Sequence, residues 1–233
     1  MTKLTITNLT YQSDGITLLH DITLSHANAG ITTIIGANGA GKSLLLSALH
    51  GLIAPTSGHV SWGGTPAPDS KHTRSYVFQK PVILRRSVRA NLAYPLQVQN
   101  QSKADQAEKI DQMLELSQLT SLADQPAASL SGGEAQRMTI ARALITQPKT
   151  LLLDEPCSNL DPASTKLIEG MIHRFVAAGG SVYLSTHDMR QAKRLSNVVF
   201  FLQAGQLLEH SLANDFFAAP TTREGQAYLN GDL

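Results

Sequence analysis

The stretch "GITTIIGANGAGKSLLLSALHGL", residues 30–52, carries the reading of the fold. Its opening, "GITTIIG", is β-branched and nearly continuous, as expected of a buried strand. Its close, "SLLLSALHGL", has helical spacing and stops at Gly51, a residue suited to end a helix. Between them Gly36-Ala37-Asn38-Gly39-Ala40-Gly41-Lys42-Ser43 satisfies G-x-x-x-x-G-K-[ST] in full. Gly36, Gly39 and Gly41 permit backbone angles that turn successive N–H groups of this loop into one concavity for phosphate oxygens. A helix beginning near Lys42 adds its positive dipole end. Lys42 is then expected to reach the β- and γ-phosphates, and the Ser43 hydroxyl to ligate Mg²⁺. A chance glycine turn would need neither the strand before nor the helix after, and both are present. The pattern predicts a nucleotide site.

Outward from this loop, "TLLLDEP" (150–156) sets Asp154 and Glu155 at the C-terminal end of a second buried strand. That edge is where parallel α/β sheets bind ligands. Asp154 is expected to hold Mg²⁺ through water, and Glu155 to polarise an attacking water. Taken alone, two adjacent carboxylates read better as a solvated turn; the apolar run before them and the phosphate loop favour the functional reading. "SVYLST" (181–186) reads as a third strand, with a helix-like "ASTKLIEGMIHRFVAAGG" before it. This alternation indicates a parallel sheet built by crossovers. "KLTITNLTY" and "HDITLSHAN" alternate apolar and polar residues, the mark of half-exposed antiparallel strands. "PTSGHVSWGGTPAP" reads as a turn or hairpin, "NVVFFLQAGQLLEH" as a closing hairpin, and "DFFAAPTTREGQAYLNGDL" as short helix and coil. Residues 81–128 carry helical spacing and no convincing strand. The expected organisation over 1–233 is one domain. An α/β core at 1–80 and 141–215 includes an N-terminal antiparallel β subdomain. A helical insertion occupies 81–140, and a tail 216–233.

The totals limit the function classes. Hydrophobic residues make up 42% and charged residues 16%, which describes a globular chain rather than a disordered one. A net charge of +1 advertises no nucleic-acid or anionic-membrane partner. The single cysteine, Cys157, excludes an internal disulfide framework and reads as a small packing residue in a reducing compartment. The start "MTKLTITNLTYQSDG" lacks an apolar signal region, and "VVFFL" falls far short of the ~20 residues of a membrane span. The expectation is a cytoplasmic unit whose membrane partner, if any, is another chain.

"GANGAGKS", "LSGGEAQR" (130–137), "LLLDEP", "SNLD" and "STHD" occur together in one order and spacing. In this the chain resembles the ATP-binding subunits of ABC (ATP-binding cassette) transporters over nearly its whole length. The resemblance implies a P-loop NTPase (RecA-like) core with the β and helical subdomains already described, and ATP with Mg²⁺ as ligands. It also implies roles for residues that would otherwise read as ordinary surface or structural groups. Gln79, in "YVFQKP", matches a Mg²⁺ and water contact at the hinge between core and helical lobe. Ser131, Gly132 and Gly133 match the signature that binds a γ-phosphate across a dimer interface. Asp161, in "SNLD", matches the loop that links the two sites, and His187 the switch histidine on the γ-phosphate. One departure stands near the N-terminus. The place of the family's adenine-stacking aromatic falls near Ser13, with Tyr11 two residues earlier, so Tyr11 either stacks on the base or packs on the sheet.

The resemblance further implies in-line attack of water on the γ-phosphate, with Lys42, Mg²⁺ and the loop amides holding charge and Glu155 orienting the water. It implies a homodimer with ATP at the interface, docked peripherally on an integral membrane permease at the cytoplasmic face of the inner membrane. An extracytoplasmic substrate-binding protein would complete such an importer. "VILRRSVRANLAYPL", with Arg85, Arg86 and Arg89, is the expected permease contact. The short tail leaves no room for an added regulatory domain. "VFQKPVILRRSVRANLAYPL" with "DFFAAP" is similar to short ATPases of tungstate-type oxyanion uptake. Amino-acid or phosphate import, a non-transport ABC ATPase, and an ATP sensor without turnover stay as alternatives.

Overall fold

A computed structural model describes residues 2–27 and 30–232. Along the chain come β1 (Leu4–Ser13), β2 (Ile16–His26), β3 (Gly30–Ile35), α1 (Lys42–His50), β4 (Ser57–Trp62), β5 (Thr65–Pro66) and β6 (Arg74–Val77). There follow α2 (Val88–Val98), α3 (Lys103–Leu116), α4 (Gly132–Leu144), β7 (Thr150–Asp154), α5 (Pro162–Ala177), β8 (Ser181–Ser185) and α6 (Met189–Leu195). The chain closes with β9 (Val198–Gln203), β10 (Gln206–Leu212), α7 (Ala213–Ala218) and α8 (Arg223–Asn230). Asn28, the last residue of the expected second strand, lies outside the described residues, as do the termini Met1 and Leu233.

The alternating N-terminal strands form an antiparallel sheet in the order β2-β1-β4-β5. The continuous apolar strands form the second sheet, β10-β9-β3-β8-β7-β6, parallel except for the edge strand β10. The physical reason for the difference is visible in β7. Leu151 and Leu153 join an apolar cluster with Leu92, Met138 and Ile172 of the helices. Leu152, pointing the other way, joins Leu46 of α1 and Leu4 and Trp62 of the antiparallel sheet. A strand covered on both faces has no solvent face to make polar.

The helical insertion forms as expected, with Ser87 and Ser102 capping α2 and α3 through bonds from Ala90 and Asp105 N–H. Three details differ from the sequence expectation. Helix α4 begins at Gly132, inside "LSGGEAQR", where Ser131 and Glu134 close a capping box. It then runs through position 140, where the helical insertion was expected to end. A fourth core strand, β6, precedes Gln79; its four residues are too few, and Arg74 and Ser75 too polar, to show alternation. The tail forms two helices, and Phe216 and Tyr228 pack against Phe201 of β9. No helix among the described residues is long and apolar enough to cross a membrane.

Candidate functional site

The phosphate loop leaves the fully buried β3 and enters α1. Its glycines are needed where they stand: φ is 149° at Gly36, 81° at Gly39 and 100° at Gly41, all left-handed. A Cβ on Gly36 would strike the Leu202 carbonyl, and one on Gly41 would lie 2.8 Å from Leu19 Cδ2. Main-chain bonds from Gly205 N to Ala40 O (3.0 Å) and from His20 N to Gly205 O (2.9 Å) stitch the loop to the β9–β10 turn and to β2. The Lys42 ammonium folds over the loop, donating to Gly36 O at 2.9 Å and Ala37 O at 3.1 Å. Burial lowers its pKa, opposed by the nearby Glu155 and Asp154 carboxylates. The ammonium is thus poised for an anion stronger than a carbonyl.

β7 lies beside the loop's strand system and delivers both predicted carboxylates. Ser43 Oγ donates to Asp154 Oδ1 at 2.8 Å, and Ser185 Oγ to the same oxygen at 2.7 Å. Tyr76 Oη, from β6, reaches Asp154 Oδ2 at 3.5 Å; burial raises its pKa, so the phenol stays a neutral donor. Hydroxyl and carboxylate oxygens at this spacing are the hard donors that suit Mg²⁺, which takes its other positions from phosphates and water. Among the described residues no group of three or more His, Cys, Asp and Glu could hold a metal unaided.

Glu155 is where the expected residues meet. Lys42 Nζ lies 3.8 Å from Oε1, Gln79 Nε2 donates to Oε2 at 3.3 Å, and His187 Nδ1 lies 3.0 Å from the same oxygen. The Glu155 backbone sits at φ 43°, a left-handed position unusual outside glycine and Asn. Its N–H donates to Ser185 O at 3.2 Å and Ser185 Oγ at 2.9 Å, which holds the strained position. Lys42, Ser43, Gln79, Glu155 and His187 line one cleft of about 580 Å³ with Asn38, and His187 keeps 52% of its side chain exposed there.

The remaining predicted residues stand outside this cleft. Ser131 caps α4: its Oγ donates to Glu134 Oε2 at 2.7 Å, and its N–H to the same oxygen at 2.8 Å. A Cβ on Gly133 would strike Ser164 Oγ at the start of α5, whereas one on Gly132 would meet nothing within 4 Å. Asp161 caps α5, accepting from Ser164 N at 2.9 Å and Ser164 Oγ at 2.6 Å. Tyr11 is half-buried against the antiparallel sheet's core, opposite Leu19, and does not line the cleft. Sequence reasoning missed Tyr76 and Ser185 as supports of Asp154. "LSTHD" contained Ser185 in plain view, but only register brings it beside Asp154.

With this geometry established, the similarity to known proteins is informative. The family pattern described as ABC transporter matches residues 19–158. A methionine import ATP-binding protein, MetN of Photorhabdus laumondii, is 38% identical over all of this chain and 71% of its own length. A tungstate uptake system ATP-binding protein, TupC of Peptoclostridium acidaminophilum, is 36% identical over 92% of this chain and all of its own. Among solved structures, cbiO1 of Clostridium perfringens, part of the ABC transporter complex cbiONQ, superposes with a TM-score of 0.83 at 26% identity, covering 93% of this chain and 90% of that one.

Proposed function

The chain belongs to the ABC transporter family as an ATP-hydrolysing, ATP-binding subunit, and on that premise we propose that it drives solute uptake through a membrane permease using the cleft around Glu155. The observation that carries the site assignment is the convergence of Lys42, Gln79 and His187 on the Glu155 carboxylate beside the phosphate loop. When ATP enters, the Lys42 ammonium exchanges Gly36 O and Ala37 O for β- and γ-phosphate oxygens. Residues 36–43 supply amides around the same phosphates. Ser43 and Asp154, with Gln79, would hold Mg²⁺, which supplies charge neutralisation when bound. Glu155 accepts a hydrogen bond from the attacking water and takes its proton, while His187 donates to the γ-phosphate. Ser131, Gly132 and Gly133 act on the nucleotide of a second copy, and Asp161 carries the contact between the two sites. Tyr11, packed on the antiparallel sheet and outside the cleft, is assigned the packing role rather than adenine stacking.

The permease contact is the second part of the reading. Leu52, Phe78, Val82, Tyr94 and Val98 are exposed apolar side chains around one groove of about 580 Å³. Such a patch on a soluble surface marks a protein contact. Of the three arginines expected there, Arg85, Arg86 and Arg89, none lines the groove; Arg89 is engaged by Asp111 at 2.8 Å and Arg86 lies 5.6 Å from the Tyr94 ring. The contact is therefore mainly apolar, at the cytoplasmic face of the membrane. The solute we propose is an oxyanion of the tungstate class, supported by the likeness to TupC. Methionine is the second reading, supported by the likeness to MetN. A binding screen on the substrate-binding protein encoded nearby separates the two. For the site, Glu155→Gln should still bind ATP but turn over at least ~10²-fold more slowly. Near-normal turnover would remove Glu155 from the base role.

A further inference from the structure

The helix that follows His187 has little of its own to hold it. α6 has seven residues, fewer than the ~12–15 that an isolated helix needs in water. Asp188 caps it, accepting from Arg190 N at 2.8 Å and Gln191 N at 3.2 Å. Ala192 and Leu195 are its buried apolar side chains. From α5, one carboxylate grips the other side. Gln191 Nε2 donates to Glu169 Oε1 at 3.2 Å, Arg194 Nε donates to Oε2 at 2.9 Å, and Arg194 Nη2 donates to Oε1. This fork from Arg194 is the two-point geometry that fixes orientation as well as distance.

The grip sits at a junction. Glu169 is 9% exposed and Gln191 2%, so water competes little for the bond between them. The Arg194 side chain stays 50% exposed and closes the fork from the solvent side. α5 is the helix capped by Asp161, so it leaves the loop assigned to contact between copies. Cys157, two residues after Glu155, is half-buried on the wall of the same cleft as Glu169 and Gln191. Glu169, Gln191, Arg194 and Cys157 line one cleft of about 710 Å³ with Glu155 and His187. Three segments thus line one cleft: the chain leaving Glu155, the helix leaving Asp161, and the helix following His187.

We propose that Glu169 is a positioning residue for ATP hydrolysis: by holding Gln191 and Arg194 it fixes α6, and so sets where His187 stands relative to Glu155 and the γ-phosphate. The inference rests on the roles assigned above to Glu155 and His187. A residue that acts this way affects turnover, not nucleotide capture, and acts only through the histidine.

The test is steady-state ATP hydrolysis by full-length Glu169→Leu, Glu169→Gln and Glu169→Asp beside the wild type, with thermal unfolding to verify folding. Glu169→Leu should lower kcat about tenfold or more with KM for ATP within about twofold, and Glu169→Asp should recover part of the loss. Glu169→Gln, which keeps the shape and removes the charge, decides the matter if the leucine variant does not fold. A double-mutant cycle with His187→Ala gives the readout that a purely structural role would not move. In that background Glu169→Gln should cost little further turnover, because the group it positions is gone. Full additivity with His187→Ala, an unchanged kcat in a folded variant, or a loss confined to KM would each overturn the inference. Absence of turnover in the wild type would instead sink the hydrolytic reading of the cleft, and this inference with it.

Discussion

His26 is 6% exposed between β2 and the central sheet, with Nε2 3.0 Å from Thr32 Oγ1 and Nδ1 3.2 Å from His210 Nε2. The rings of Tyr183 and Phe200 stand edge-on around it. Burial, and then the neighbouring His210, push its pKa down from 6.5 to about 4. Below pH 6.5 the unfolded chain therefore binds a proton that the folded chain refuses. Its contribution to stability is full above pH 6.5 and is lost as pH falls towards 4. Linkage puts the loss at about 2 kcal/mol by pH 5. Urea unfolding at pH 7 and pH 5 should show a smaller pH dependence in His26→Gln than in the wild type; equal dependence in both would exclude His26 as the group. At this scale the sequence was readable only where chemistry is contiguous. Lys42 and Ser43 stand in one motif, and Asp154 and Glu155 in another. Ser185 and Tyr76 reach Asp154 from 31 and 78 residues away, a relation no spacing rule contains.

Elements were legible in proportion to their length and their periodicity. The long alternating strands and the crossover helix α5 declare themselves, whereas β6 does not, since half of it is Arg74 and Ser75. Arg74 is buried there only because Ser70 Oγ and His50 O accept from its guanidinium at 3.0 Å each, together with Ala67 O, under the Trp62 ring. The start of α4 is hard to read in the sequence for a different reason. Paired glycines read as loop, yet a reciprocal Ser131–Glu134 cap outweighs their poor helix propensity. The groove beside α2 makes a prediction at the same scale. Val98 ends that helix and is 65% exposed, so Val98→Asp should leave the fold and the hydrolysis of the isolated subunit unchanged. It should weaken permease binding by about 2 kcal/mol, roughly 30-fold, as read by co-purification and titration. Undiminished binding would place the contact elsewhere.

Across the whole molecule, the helical insertion and the central sheet share one apolar cluster, from Leu92 and Ile110 through Met138 to Leu153 and Val182. The nucleotide cleft and the helix that begins at Gly132 are thereby carried on one packed body, with Ser131, Gly132 and Gly133 outside the cleft that their own phosphate loop lines. If the signature serves a second copy, Gly132→Val should unfold within about 2 °C of the wild type, since an added Cβ there meets nothing within 4 Å. In a Glu155→Gln background with ATP, light scattering should find the parent dimeric and the Gly132→Val chain monomeric. Dimers in both would refute the assignment. The two neighbouring glycines then divide cleanly. A side chain on Gly133 is barred by its own chain, through Ser164, whereas a Cβ on Gly132 meets nothing within 4 Å. A survey that scores substitutions by folding, solubility or expression would grade position 132 as free to vary. If the dimer assignment holds, such a survey is blind to it, because the requirement for a glycine there comes from outside the molecule being surveyed.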